Sequence, residues 1–161
     1  MLNQWNEFFA VVGGASAALA GLVFVAMSLN LSSIIRDATH RSRAIGTLSG
    51  FTAAFMICAF ALMGDQNYQA VGIEWLVVST IAMVIYISGY VRSKKSGGST
   101  VGLHPVRIAG AIVLHLAQML GSALLFLGYS AGLYLAGVAL VVYVCFMISG
   151  AWLLLISVHG D

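Results

Sequence analysis

Residues 112–129 read IVLHLAQMLGSALLFLGY. The run is continuously apolar, without the alternation and the ~10-residue length of a membrane β-strand. Its polar residues His115, Gln118 and Ser122 fall at i, i+3 and i+7, the spacing that puts side chains on one face of an α-helix. The stretch therefore reads as an apolar helix carrying one polar stripe.

The rest of the chain repeats the apolar pattern. Of 161 residues, 61% are hydrophobic and 7% are charged, with a mean hydropathy of +1.01; roughly a quarter of a soluble domain's residues are charged. Cut where charges cluster, the sequence divides into five apolar runs at about 8–35, 44–64, 70–91, 107–129 and 133–158. Each is long enough for the ~20 helical residues that a ~30 Å hydrocarbon core requires. The expected fold is all-α, a polytopic bundle of five membrane spans forming a single transmembrane domain over residues 1–161. The longest polar stretch, RSKKSGGSTVGLHPVR at 92–107, is too short for a soluble domain. Gly64-Asp65 closes the second run, and Pro105 stands just before the fourth, where its missing N–H costs little.

Orientation follows from the basic residues. Arg36, Arg41 and Arg43 lie between spans one and two, and Arg92, Lys94, Lys95 and Arg107 lie between spans three and four or at the start of the latter. These are all the lysines and arginines in the chain, so the positive-inside rule puts both loops in the cytoplasm, the N-terminus outside and the C-terminus inside. The net charge of +2 then serves topology and offers no footprint for nucleic acid. The small-residue segment ASAALAG at 15–21 could suit a signal peptidase. Because Glu7 and no basic residue precedes it, and the apolar run continues past it, a retained first span is expected.

Small residues recur every four positions in the first two spans: Gly13, Ala17 and Gly21, then Gly46, Gly50 and Ala54. In lipid, burial of apolar surface gives no advantage over a lipid tail, and such smooth faces associate by close backbone approach. Contact within one chain is the ordinary expectation, and a seam between identical subunits is the sharper one. The first span, with Trp5, Phe8, Phe9, Gly13 to Ala18, Gly21, Leu22, Phe24 and Val25, resembles the opening helix of small, uncharacterised bacterial multi-pass membrane proteins. That resemblance implies the bacterial inner membrane and carries no activity with it.

The polar stripe of the fourth span is the candidate site. Counting from Arg107 puts His115 about 12 Å into the membrane from the basic end, with Gln118 near the midplane. Spans four and five form a hairpin through the short GYSAG link, and counting equally from its centre brings Tyr143 opposite Gln118. A hydrogen-bonded network of His115, Gln118 and Tyr143, with Ser122 on the same face, is expected, either fixing helix register or lining a hydrated path. Glu7, Asp37, Asp65, Glu74 and Asp161 all fall at span ends or in loops, which disfavours a carboxylate-based proton relay or sodium site. No GxSxG motif or paired-acid arrangement supports catalysis, so an enzyme is not expected. Cys58 and Cys145 fall at different depths, which argues against a disulfide or a shared metal. His115 and Met119, four apart, with Met56, Met83 and Met147 in other spans, hint at a haem or soft-metal ligand set, but no Cys-x-x-Cys or His-x-x-x-His pattern supports it, so no cofactor or metal is assigned. The leading expectation is a self-associating protein that forms or lines a permeation path. A non-catalytic accessory subunit of a larger membrane complex comes second, and a metal or haem protein centred on His115 third.

Overall fold

The computed structural model describes residues 2–64, 66–95 and 105–159. After a 3₁₀ turn at Leu2–Trp5 come α1 (Asn6–Leu29), α2 (Leu31–Arg36), α3 (Ala38–Ala61), α4 (Tyr68–Lys95), α5 (Pro105–Phe126) and α6 (Ala131–His159), with no strand among the described residues. All of these helices except α2 are long and apolar enough to cross a membrane, the architecture of a multi-pass integral membrane protein. Asp65, the Gly97-Gly98 link, His104 and Asp161 lie outside the described residues.

The helix ends differ from the apolar runs for identifiable reasons. The first run, 8–35, is broken at Asn30, whose side-chain amide donates to the Ala26 carbonyl at 2.9 Å while its own N–H turns back to Met27 O. That local competition ends α1 and starts the short α2. The second span, α3, begins well before residue 44, because the Asp37 carboxylate accepts from the N–H groups of Thr39 (2.6 Å) and His40 (3.0 Å) and caps it. The fourth span, α5, ends at Phe126 rather than Tyr129. Gly128, at φ 87°, takes the left-handed conformation of a Schellman cap, with Gly128 N–H bonded to Leu125 O and Tyr129 N–H to Leu124 O.

Helices α3, α4, α5 and α6 pack as a ring in which each contacts its two sequence or ring neighbours, and α1 lies outside, mainly against α3 with minor contact to α6. All seven Lys and Arg residues fall at one end of this bundle, where α2 and α4 end and α3 and α5 begin. Glu7 and Glu74 lie at the other end, Glu74 accepting from Gln66 Nε2 at 3.0 Å.

Away from the basic end the ring is closed by small residues. A Cβ on Gly132 would sit 2.5 Å from the Gly121 carbonyl oxygen and 2.7 Å from Leu125 N, and one on Gly72 would overlap the backbone of Phe126. These contacts let α4, α5 and α6 approach backbone to backbone. The space inside is filled by a core of Phe9, Val71, Trp75, Leu125 and Leu133, all fully buried. Trp75 spans it, donating its indole N–H to Ile57 O of α3 at 2.8 Å and meeting the Phe9 ring edge-on at 5.5 Å. The lipid-facing surface is Val, Leu, Ile and Phe, whereas the buried set includes Ser16, Thr39, Thr47, Ser79, Ser93, His115, Gln118 and Ser122. Polar side chains turned inward along apolar spans are what a hydrocarbon solvent selects.

Candidate functional site

His115, Gln118 and Ser122 all point into the ring, 3%, 6% and 0% exposed. Tyr143 of α6 meets His115, not Gln118. Its hydroxyl lies 3.4 Å from His115 Nε2, with the two rings perpendicular at 5.0 Å. The carbonyl of Ala111 can only accept, and it lies 2.8 Å from His115 Nδ1. In the neutral ring Nδ1 therefore carries the proton, and Nε2 accepts from the Tyr143 hydroxyl.

The expected three-member network is thus corrected to a pair. The cause is the Schellman cap: α5 stops at Phe126, so the hairpin turns closer to α5 than the centre of GYSAG suggests, and the facing register moves by about one turn. Gln118 comes to lie beside Leu140 instead, and neither its Oε1 nor its Nε2 has a protein hydrogen-bond partner. Ser122 bonds within its own helix, to Gln118 O at 2.8 Å. So do Ser28, Ser49, Thr52, Thr80 and Ser88.

Gln118 shares a cavity of about 20 Å³ with Ser79, Ala82, His115, Leu140 and Tyr143, and the Ser79 hydroxyl is likewise buried without a protein partner. Burying the Gln118 amide and the Ser79 hydroxyl without partners costs roughly 1–3 kcal/mol per group.

The basic end holds a second and larger space. A pocket of about 80 Å³ opens between α3, α4, α5 and α6, with Thr39, Arg43, Thr47, Tyr86, Arg107 and Met147 among its lining. Arg36, Arg41, Arg92, Lys94 and Lys95 are exposed, but Arg43 and Arg107 are half-buried in this pocket. Their role as pocket residues is missing from the sequence reading. Spacing carried the signal: Arg43, Thr47, Gly50 and Ala54 share one face of α3, and Arg107, Ala111 and His115 share one side of α5.

Two side chains join this pocket to the buried pair. The Tyr86 ring lies 5.7 Å from that of His115, and Met147 reaches from the pocket to Gly50, against which the Tyr143 hydroxyl also packs. A polar column therefore runs from Arg43 and Arg107 past Tyr86, His115 and Tyr143 to Gln118 and Ser79. The Trp75 core blocks it beyond that point.

The small-residue faces divide. On α3, Gly50 packs on Met147 and Tyr143, Gly46 faces Tyr86, and Ala54 is fully buried, so this face is occupied within the chain. On α1, Gly13 is pressed on Cys58, where an added Cβ would stand 2.8 Å away, whereas Ala17 and Gly21 face outward with Gly14 and Ala18. Cys58 is buried and Cys145 exposed, and neither forms a disulfide. Among the described residues no three His, Cys, Asp or Glu gather as a metal site. The chain matches no family model, no curated protein and no solved structure.

Proposed function

We propose that this integral membrane protein provides a permeation path for a small polar or charged solute through the interior of the α3–α6 ring. The observation that carries the reading is the polar column, which penetrates from the basic pocket to the Gln118 amide and the Ser79 hydroxyl, both buried and without a hydrogen-bond partner within the chain. Passage beyond Gln118 requires the Trp75 layer to part, so this layer is the gate of the proposal. Self-association through the outward face of Gly14, Ala17, Ala18 and Gly21 belongs to the same proposal, supported by α1 being the least buried span. So does placement in a bacterial inner membrane with the basic end in the cytoplasm, supported by the grouping of all Lys and Arg at one end and by the resemblance of the first helix.

The test is solute flux in liposomes reconstituted with the pure protein, using potassium, chloride and phosphate as trial solutes. Flux above that of empty liposomes, reduced at least severalfold by Gln118→Leu, is the expected result. Absence of flux for every solute, or flux indifferent to Gln118→Leu, overturns the reading. It would leave the second one, a non-conducting accessory subunit, which the same outward face of α1 favours.

A further inference from the structure

The basic pocket has a charge problem of its own. Arg43 and Arg107 line the same pocket, and among the described residues no Asp or Glu lines it with them. Arg43 Nη1 is buried and has no hydrogen-bond partner. Arg107 is held in place: its guanidinium lies over the Phe146 ring, 4.8 Å from the centroid, and Nη1 donates to Ser149 Oγ at 3.4 Å. Gly150 makes room for it, since a Cβ there would stand 3.0 Å from Arg107 Nη2 and 3.7 Å from Thr47 Oγ1. Hydroxyls complete the lining, from Ser42 and Thr47 of α3 and Tyr86 and Tyr90 of α4.

A cation inside a membrane-spanning segment ordinarily pairs with an anion or a carbonyl. Here two guanidiniums, each a planar fork suited to two oxygens at once, share one pocket with neutral hydroxyl donors. Arg43 lies about 8 Å along α3 from its first residue, close to the basic end of the bundle. We infer that the pocket bounded by Arg43, Arg107, Thr47 and Tyr86 is a binding site for a phosphate-type oxyanion, either a soluble phosphate compound or the phosphodiester of a lipid headgroup. Both sources present the same tetrahedral oxygens to the two forks. Binding requires no flux, so it stands or falls apart from the permeation proposal.

The test uses the full chain, delipidated in a phosphate-free sugar detergent and a phosphate-free buffer. One arm titrates inorganic phosphate by calorimetry; the other titrates short-chain phosphatidylglycerol and follows its retention by native mass spectrometry. Saturable binding of phosphate identifies a soluble ligand, and binding of the lipid alone identifies a headgroup. In either case Arg43→Gln and Arg107→Gln should each weaken binding at least tenfold, while Arg41→Gln and Lys95→Gln, at exposed cations outside the pocket, leave it unchanged. Should a Gln variant fail to fold, Arg43→Lys and Arg107→Lys retain the charge without the fork and should weaken binding severalfold. No saturable binding in either arm, or equal weakening by Arg41→Gln and Arg43→Gln, overturns the inference.

Discussion

The two ends of the α3–α6 ring solve the same packing problem in opposite ways. At the end away from the basic loops, Gly72, Gly121 and Gly132 bring three helices to backbone contact, and Trp75, Phe9, Leu125 and Leu133 fill what remains. At the basic end the facing positions carry Arg43, Tyr86 and Arg107, which are large and polar and hold a pocket open between the same four helices. Between the two lie His115 and Tyr143, which satisfy one another, and Gln118 and Ser79, which lack protein partners. The difference teaches that polarity here is graded along the helices and is not confined to one stripe on α5. A lipid-solvated bundle can keep a polar interior only where each group meets another group, or meets water.

The largest expected effect falls on the closed end. Gly132→Leu cannot be accommodated, because the contacts it invades are backbone atoms of α5, and it should abolish the folded bundle. Gly132→Ala should cost at least about 3 kcal/mol by denaturant unfolding in micelles, at the upper end of overpacking penalties. A cost below about 1 kcal/mol for Gly132→Ala would mean that this end is looser than described. Next comes His115→Leu, which removes the partner of the buried Tyr143 hydroxyl and should destabilise by roughly 1–3 kcal/mol in the same assay.

Gln118→Leu should behave differently from its neighbour. It deletes an amide that bonds to nothing in the protein, so unfolding stability should be unchanged or raised. Destabilisation by more than about 1 kcal/mol would instead mark Gln118 as interhelical glue. The smallest effect is expected on the outer face of α1. Gly14 has nothing within 4 Å of an added Cβ, so Gly14→Ala should leave monomer stability within about 1 kcal/mol of wild type, on the stable side. A drop in the apparent oligomer mass of Gly14→Leu by light scattering would place a second copy of the chain on that face.

Much of the fold was legible because membrane helices are specified by length and hydropathy, and both are properties of contiguous sequence. The five spans follow from that, and the shared face of His115, Gln118 and Ser122 follows from helical spacing, with the cost of polar groups in lipid turning it inward. Details set by single backbone atoms were less legible. The αL turn at Gly128 shifts the α5–α6 register and gives Tyr143 to His115, and the Asn30 amide divides the first run into two helices. The basic pocket was hidden for a different reason. The positive-inside reading already gives Arg43 and Arg107 a role, so their charge called for no second explanation. Only the packing of four helices distinguishes them from Arg41 and Lys95, which carry the same charge at the same end and face outward.

Water access along the ring interior tests the account most directly. In a chain with Cys58 and Cys145 replaced by Ala, Thr47→Cys and Leu133→Cys would each be exposed to a charged, membrane-impermeant thiol reagent applied from either side of the membrane. Thr47→Cys, in the basic pocket, should react rapidly from the basic side alone, and Leu133→Cys, in the Trp75 core, should stay protected from both sides. A protected Thr47→Cys, or a Leu133→Cys that reacts as fast, would contradict an interior that is open and polar at one end and closed at the other.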